Sequence, residues 1–298
     1  MASPQFVKFR QLLEKNRPPG DRVNVATMRT TMDAVGGRFP DGVTGTPATL
    51  GGVPGEWVAG PDASDEATVL YLHGGGYVAG SVDSHRNLLG HLAVAMGCRL
   101  FAADYRLAPE HPAPAAVDDA LAAYRALLDD GAAPGTIAIA GDSAGGGLTM
   151  AALVAIREAG LTQPAAAVTI SPWVDLEGAG ASMTTRAEAD PMVTPGSLAI
   201  IAGHYVGPEG DLRDPLAAPL HADLHDLAPL LIHVGDAEVL LDDAVRLEAK
   251  VASAGGEVTL EVWPEMVHVW HGSAGFVPES DEAIAGIAAF ARPRLGLA

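Results

Sequence analysis

The sequence predicts an α/β fold whose central sheet is mostly parallel and is covered by helices on both faces. Two observations support this prediction. From about residue 66 to the end, short apolar runs alternate with longer stretches of helical character. Two glycine-rich motifs also follow directly after two of the apolar runs. Near-continuous apolar strands that alternate with helices are typical of a parallel sheet buried on both faces. A chain of 298 residues is long enough for one large domain of this kind.

The pattern places six strands, five helices and an edge strand. The strands are expected at residues 66–72, 99–104, 136–141, 166–170, 229–234 and 257–263. The helices are expected near residues 84–97, 114–130, 146–159, 239–254 and 279–292. Residues 55–59 add an antiparallel strand at one edge of the sheet.

Two segments do not fit the alternation. Residues 1–45 contain an amphipathic helix followed by a polar linker, and residues 177–220 form a long insertion rich in Gly, Pro and acidic side chains. A short helix is expected near 195–206, with Thr194 as its N-cap and Pro195 at its first position. Long insertions between sheet strands are usually functional, so we expect both segments to cover the carboxyl edge of the sheet.

Composition excludes several classes of partner. The formal net charge is −19, and such a surface repels nucleic acid and anionic membranes. The single cysteine, Cys98, allows no internal disulfide and lies in an apolar run typical of a buried residue. The N-terminus lacks the apolar core of a signal peptide, and no uninterrupted apolar run is long enough to span a bilayer. We therefore expect a soluble cytoplasmic protein.

The motif Gly141-Asp142-Ser143-Ala144-Gly145 fits the pattern G-x-S-x-G. It follows a predicted strand and precedes a predicted helix, which is the context of a nucleophile elbow. Such a turn forces the serine into a strained backbone conformation, so the flanking residues must be small. We expect the Ser143 hydroxyl to stand at the edge of the sheet, at the N-terminus of a helix.

The motif His73-Gly74-Gly75-Gly76 follows the predicted strand 66–72. Glycines let backbone N–H groups approach a substrate oxygen closely. With the N–H of Ala144, they would form an oxyanion hole. Either motif alone carries little information, but the two together indicate a site for acyl transfer.

A serine nucleophile requires a base and an acid that orients the base. On this type of fold the two follow the serine in the order acid, then histidine. His268 lies just past the last predicted strand, where the base is expected, and His271 is the alternative. His233 lies inside a predicted strand.

The acid should follow the strand at 229–234. Asp236 and Glu238 both lie there, and the pattern leaves the choice between them open. Asp242 and Asp243 are expected on the helix that follows.

The chain resembles the hormone-sensitive-lipase-like branch of the α/β-hydrolases, the bacterial esterase family IV. The resemblance runs from about residue 66 to the C-terminus, and the N-terminal segment resembles the cap of that family. Four motifs carry it: H-G-G-G-Y at 73–77, D-Y-R-L-A-P-E-H-P at 104–112, G-D-S-A-G at 141–145 and S-P-W-V-D-L at 171–176. The resemblance implies an N-terminal cap segment at 1–45 and an α/β-hydrolase catalytic domain at 46–298 that contains the cap insertion at 177–220.

The resemblance also implies a role for each site residue. In this family the catalytic acid is followed by leucine two residues later and by aspartate four residues later. Only Glu238 satisfies that register, although aspartate is commoner at this position in the family. The family's base corresponds to His268 and its nucleophile to Ser143. Its oxyanion donors correspond to Gly75, Gly76 and Ala144.

Two further sets of polar residues lie outside the predicted catalytic group. We expect Arg106 and Glu110 of the second motif to form a buried ionic network that holds the glycine loop. His221 and His225 have the spacing of a metal-binding pair, but no suitable partner residues accompany them in the sequence. We therefore predict no metal site and no cofactor.

The resemblance implies a carboxylic ester hydrolase that acts on short- to medium-chain acyl esters through an acyl-enzyme. A lactone hydrolase is the first alternative, and hydrolysis of small amides is the second. A ligand-binding receptor on the same scaffold is the alternative from another class, but known receptors of this type lose the histidine that His268 preserves. The expected partner is a small ester, with neither nucleic acid nor membrane, and a homodimer is an assembly common in this family.

Overall fold

A single mixed sheet forms the centre of the molecule. The computed structural model describes residues 2–17 and 22–297. Within those residues the strands are β1 (Thr44–Leu50), β2 (Val53–Ala59), β3 (Ser64–Leu72), β4 (Cys98–Ala103), β5 (Ile137–Asp142), β6 (Ala166–Ile170), β7 (Leu230–Gly235) and β8 (Val258–Trp263). Their order across the sheet is β1-β2-β4-β3-β5-β6-β7-β8. Strands β1 and β2 pair antiparallel at one edge, and β3 to β8 run parallel.

Helices cover both faces of this sheet. They are α1 (Pro4–Lys15), α2 (Val25–Val35), α3 (Val82–Met96), α4 (Ala115–Asp129), α5 (Ala144–Glu158), α6 (Ser182–Thr185), α7 (Pro195–Val206), α8 (Leu241–Ser253) and α9 (Pro278–Arg294). One apolar core joins α4, α5 and α8 to one face of the sheet, and a second joins α3 and α9 to the other face. The predicted fold class is therefore confirmed. None of the described helices combines the length and the apolar character needed to cross a bilayer.

The N-terminal segment is more regular than the sequence predicts. The stretch expected to be a polar linker contains α2, which begins after the N-cap Asn24. Its apolar residues Val25, Met28 and Met32 are only partly buried against the core, so they give a weak periodic signal. Strand β1 was also missed, because nearly all its side chains are exposed and it lacks an apolar run. Met1 and residues 18–21 of the predicted cap segment lie outside the described residues.

The insertion at 177–220 contains the predicted helix. Helix α7 has Pro195 at its first position, and the Thr194 hydroxyl accepts a hydrogen bond from the Ser197 amide at the N-cap. The ring of Tyr205 on α7 stacks on the ring of Tyr77, with centroids 3.7 Å apart. The insertion is therefore packed directly on the loop that follows β3.

The turn between β5 and α5 leaves no room for side chains. A Cβ atom added to Gly145 would overlap the carbonyl oxygen of Leu72, at the end of β3. A Cβ on Gly141 would overlap the carbonyl oxygens of both Gly145 and Leu72. Since these neighbours are backbone atoms, no side-chain rotation can relieve the overlap. The small residues predicted around Ser143 are thus required by contact with the adjacent strand.

Replacing Gly145 with alanine should destabilise the protein, because the new methyl group meets backbone. We expect Gly145→Ala to lower the free energy of unfolding by about 2 kcal/mol or more, as measured by urea denaturation. Gly203→Ala is the matched control. That glycine also lies in a helix, but an added Cβ would meet no atom within 4 Å. The control should be neutral or gain up to about 1 kcal/mol. Equal stability of the two variants would contradict the packing described.

Candidate active site

Ser143 occupies a strained position at the tip of the turn between β5 and α5. Its backbone has φ +53° and ψ −120°, a conformation that non-glycine residues rarely adopt. Hydrogen bonds fix it from both sides: its N–H donates to the Ile170 carbonyl at 2.8 Å, and its carbonyl accepts from the Trp173 N–H at 3.0 Å. The side chain is only partly buried, so the hydroxyl remains accessible.

A continuous chain of hydrogen bonds joins Ser143, His268 and Glu238. His268 Nε2 lies 2.9 Å from Ser143 Oγ, and His268 Nδ1 lies 2.7 Å from Glu238 Oε2. His268 is 5% exposed and Glu238 is fully buried. The three residues come from different loops, after β5, β7 and β8, so the parallel sheet brings them to one edge. This is the geometry required of a nucleophile, its base and the acid that orients the base.

The alternatives left open by the sequence lie outside this chain of hydrogen bonds. The Asp236 carboxylate accepts a hydrogen bond from the Glu265 N–H at 2.7 Å. His271 Nε2 lies 3.1 Å from Nδ1 of the buried His233. Neither of the two candidates contacts Ser143 or the pair formed by Glu238 and His268.

Glu238 is held by donors other than His268. Its Oε1 atom accepts from the Ser171 hydroxyl at 2.8 Å and from the Gly235 N–H at 2.7 Å. The Ser171 hydroxyl also accepts from the Val269 N–H at 3.2 Å. One hydroxyl therefore ties the acid to the loop that carries the base. Sequence reasoning gave Ser171 no role, although it begins one of the four motifs.

The electrostatic surroundings favour the protonated form of His268. Burial alone would lower its pKa, but the hydrogen bond and the charge of Glu238 raise it, with further contributions from the charges of Asp190 and Asp142. The net result is a pKa above the usual 6.5. The groups around His268 therefore stabilise its protonated imidazolium form.

The glycine loop after β3 is fastened to the residue before the serine. Gly75 and Gly76 have φ +118° and +66°, and a Cβ on Gly75 would overlap the Ala79 carbonyl. The Gly74 N–H donates to Asp142 Oδ1 at 3.1 Å. The Tyr71 hydroxyl donates to the same oxygen at 2.7 Å. The Asp142 carboxylate thus fixes the loop relative to the nucleophile turn.

Asp142 is fully buried and remains an anion through its partners. Burial would raise its pKa, but the charge and hydrogen bond of His85 and the hydroxyl of Tyr71 lower it to about 2. His85 Nε2 lies 3.3 Å from Asp142 Oδ2. Burial also lowers the pKa of the neighbouring His73 to about 4, with a contribution from the charge of His85.

The predicted buried network between Arg106 and Glu110 is wrong. Arg106 instead pairs with Asp119 at 2.7 Å, and its side chain is 47% exposed. Glu110 is more than half exposed and pairs with Arg29 of α2 at 2.6 Å. Both side chains belong to a loop at the surface, where charged groups keep most of their hydration.

Arg29 performs the task that was assigned to that network. Its guanidinium donates to the carbonyl oxygens of Val78, at 2.8 Å, and Ala108, at 3.0 Å. Val78 follows the glycine loop, so α2 supports that loop from the N-terminal segment. The sequence does not reveal this contact, because α2 has no fully buried residue and its segment has the pattern of a polar linker.

A small pocket lies against α7, and neither Ser143 nor His268 is among the residues that line it. Its volume is about 90 Å³, and it lies between α7 and the segment that follows β6. Trp173, whose N–H is bonded to the Ser143 carbonyl, forms one wall, and Leu198 of α7 and Met183 of α6 contribute to the others. This volume is well below the roughly 300 Å³ at which sites for drug-sized ligands begin.

His221 and His225, which have the sequence spacing of a metal-binding pair, have different neighbours in the structure. His225 is about half exposed and lies beside Asp223. His221 instead groups with Asp175 and Glu177, with ligand atoms within 4.8 Å of one another. Arg246 donates to Asp175 Oδ2 at 2.5 Å, so an arginine already neutralises that carboxylate.

Known proteins resemble this chain in both sequence and structure. The family profile described as "alpha/beta hydrolase fold" matches residues 69–272. An acetyl-hydrolase of Streptomyces hygroscopicus is 47% identical over 99% of both chains. A crystal structure of EstE5 soaked with p-nitrophenyl butyrate superimposes with a TM-score of 0.96, at 45% identity over 99% of this chain and 100% of that one. An esterase from the bacterial hormone-sensitive lipase family gives a TM-score of 0.95, at 44% identity over 99% of this chain and 100% of that one.

The titration of His268 provides a test of these electrostatics. We expect its imidazole to titrate above pH 6.5 in the NMR spectrum of the wild-type protein. Glu238→Gln should lower that pKa, because it removes the negative charge that opposes the effect of burial. Asp236→Asn is the control and should leave the titration unchanged. If Asp236→Asn shifts the His268 resonance and Glu238→Gln does not, the described pairing is incorrect.

Proposed function

Because this chain belongs to the hormone-sensitive-lipase-like family of α/β-hydrolase-fold esterases, we propose that it hydrolyses short- to medium-chain acyl esters with Ser143, His268 and Glu238 as its catalytic triad. It is a serine carboxylesterase, and the resemblance noted in the sequence is confirmed at this level. The proposal concerns the residues that perform the reaction and the substrates that they accept. The hydrogen-bond chain from Ser143 through His268 to Glu238 is the single observation that carries it.

In the first half of the proposed reaction, Ser143 Oγ attacks the ester carbonyl carbon. His268 Nε2 accepts the hydroxyl proton as the new C–O bond forms, and it then gives this proton to the departing alcohol. An acyl group remains on Ser143. In the second half, His268 removes a proton from water, the hydroxide attacks the acyl group, and the proton returns to Ser143. The carboxylic acid product leaves as its carboxylate.

Glu238 has an orienting and electrostatic role in this scheme. Its contact with Nδ1 fixes the imidazole with Nε2 toward the serine, and its charge stabilises the imidazolium. Burial strengthens this interaction because no water competes for the carboxylate. The longer side chain of glutamate is accommodated because Ser171 and Gly235 bind its other oxygen.

We propose that the oxyanion is bound by the N–H groups of Gly75, Gly76 and Ala144. Ala144 is the first residue of α5, and the first amides of a helix have no partner within the helix. The helix dipole adds partial positive charge at that point. Asp142 holds the glycine loop beside the nucleophile turn, so these donors are positioned before the substrate binds.

We propose that the acyl chain of the substrate enters the small pocket against α7, which would favour short chains. A pocket of about 90 Å³ beside Trp173 leaves little room for an extended acyl group. Each methylene that remains in water forfeits about 0.8 kcal/mol of binding free energy. The names of the relatives agree, since one is an acetyl-hydrolase and EstE5 was soaked with a butyrate ester. We also propose that residues 1–45 and 177–220 form the cap over the site; the second segment supplies most of the residues that line this pocket.

Lactone hydrolysis uses the same chemistry and is the alternative substrate class. A lactone presents the same carbonyl to Ser143, and its leaving alcohol stays attached to the acyl group. The receptor hypothesis is disfavoured by the intact base, because His268 lies at hydrogen-bonding distance from the serine. A crystal structure of EstE5-PMSF, with 44% identity to this chain, also supports a reactive serine in the family.

Removal of the Ser143 hydroxyl should abolish ester turnover while the fold is preserved. We expect Ser143→Ala to lower kcat for p-nitrophenyl butyrate by about 10⁴-fold or more, because the covalent step is lost. Ser253→Ala, at the exposed end of α8, is the control and should retain wild-type turnover. Activity of Ser143→Ala within tenfold of the wild type would exclude this serine as the nucleophile.

Acyl-chain preference should follow the size of the pocket. We expect kcat/KM to peak at acyl chains of about two to eight carbons and to collapse for long-chain triglycerides. Leu198→Trp should shift the optimum to shorter chains, because Leu198 lines the pocket. Ile200→Trp is the matched control: this residue lies on the same helix but is 39% exposed, and the optimum should not move. A preference for long chains, or equal effects of the two variants, would contradict the proposed role of the pocket.

A further inference from the structure

Asp190, in the 177–220 insertion, is a buried carboxylate to which the reaction scheme assigns no role. It is 1% exposed. Its Oδ1 atom accepts from the N–H groups of Met192 and Val193, both at 2.9 Å. Its Oδ2 atom accepts from the Val239 N–H at 3.0 Å, across 49 positions of the chain. Val239 is the residue directly after Glu238.

We propose that Asp190 is a positioning residue that ties the cap to the catalytic acid and base. This proposal rests on the proposed function, because it assumes that Glu238 and His268 act as a pair. One oxygen of the carboxylate shapes the turn that leads into α7. The other oxygen fixes the turn that presents Glu238 to His268.

A purely local role would need only one of these oxygens. An aspartate that caps a turn accepts from amides two or three residues later, as Oδ1 does here. The bond from Oδ2 to Val239 adds nothing to that turn, and it connects two segments that are far apart in sequence. A carboxylate that accepts several backbone N–H bonds has its rotamer fixed, so it can transmit the position of the cap to the acid.

The same carboxylate acts on His268 through its charge. Asp190 is among the groups that raise the pKa of His268, after burial, which lowers it, and Glu238, which raises it most. The other groups facing His268 are Asp142, which also raises its pKa, and the hydroxyl of Ser143. His271 and His233 bond to each other, and neither contributes to the pKa of His268.

The N-terminal helix supports the turn that contains Asp190. Arg17, just past α1, donates to the backbone carbonyls of Glu188, at 2.7 Å, and Asp190, at 2.6 Å. Arg10 of α1 donates to the Ala189 carbonyl at 3.2 Å. These cations reach the backbone of the turn, while the carboxylate of Asp190 points to Val239. The N-terminal segment therefore contacts the turn that contains Asp190, and that turn contacts Val239 next to Glu238.

The test compares Asp190→Asn with Asp175→Asn. Asp175 is an equally buried aspartate that accepts from the amides of Glu177 and Ala179 and pairs with Arg246 of α8. Both variants lose a buried carboxylate at a turn, but only Asp190 contacts the acid's turn. Asp190→Asn replaces one of the two accepting oxygens with an amide NH₂ group. That group would face a backbone N–H, so one side of the connection is lost. Thermal unfolding establishes that each variant is folded.

The measurement is kcat and KM for p-nitrophenyl butyrate between pH 5 and pH 9. We expect Asp190→Asn to lower kcat by about 10- to 100-fold, the range found when the partners of site residues are removed, with little change in KM. The acidic limb of its kcat–pH profile should shift to lower pH, because His268 loses a nearby negative charge that stabilises the imidazolium. Asp175→Asn should keep the wild-type limb even if its melting temperature falls. Asp190→Glu retains the charge and should preserve the limb while kcat decreases.

The proposal is overturned if Asp190→Asn keeps the wild-type kcat and pH limb, or if Asp175→Asn shifts the limb equally. If Asp190→Asn does not fold, hydrogen exchange of the Val239 amide in the wild-type protein decides the question. The proposal requires protection equal to that of the core strands, and rapid exchange contradicts it. If the wild-type protein hydrolyses no ester, the proposed function fails. The NMR titration of His268 in Asp190→Asn then still tests the coupling.

Discussion

The close contact between the β5–α5 turn and the end of β3 is the constraint on which the site depends. Backbone atoms of Leu72 occupy the space that a side chain at Gly141 or Gly145 would need. The turn is therefore tight, and Ser143 is forced to φ +53°. Because the strain is held by the surrounding backbone, the hydroxyl has a fixed direction before any substrate arrives. The same contact places Asp142 next to the glycine loop, so one feature aligns Ser143 with the N–H groups of that loop.

A second set of contacts aligns the acid and the base. Glu238 receives hydrogen bonds from Ser171, Gly235 and His268, so both its oxygens are occupied. Ser171 has φ +48° and also binds the amide after His268. The acid is thus fixed by the ends of β6 and β7 as well as by its partner. This explains how a glutamate can stand where aspartate is commoner without loss of the hydrogen-bond geometry.

The elements that could be predicted are those whose burial requires a regular spacing of apolar residues. The apolar strands β3 to β7 and the helices between them have such a pattern, and so does the N-terminus of α7 with Thr194 and Pro195. Strand β1 and helix α2 have largely exposed side chains, so they leave no comparable pattern of apolar residues.

The same distinction holds within the candidate site. Ser143, His268 and the glycines could be found because their chemistry limits the residue types and their positions after strands. The spacing alone left Asp236 and Glu238 equivalent, and the family register favoured Glu238. The predicted network of Arg106 and Glu110 was wrong because a charge pattern does not reveal which ions face each other in space. Arg29 and Asp190 were missed, since both bind backbone atoms that any residue supplies. Ser171 was missed because its hydroxyl meets the Glu238 carboxylate across 67 positions of the chain.

The central claim is that an acyl group passes through Ser143. The most direct measurement is rapid acid quenching of the enzyme mixed with p-nitrophenyl butyrate, followed by mass spectrometry of the proteolytic peptides. We expect one butyryl group on the peptide that carries Ser143, formed within the first turnover and lost as substrate is exhausted. A butyryl group on a different residue that forms and decays at the rate of turnover would contradict it. Hydrolysis with no acylated peptide under conditions that show a burst of p-nitrophenol would contradict it as well.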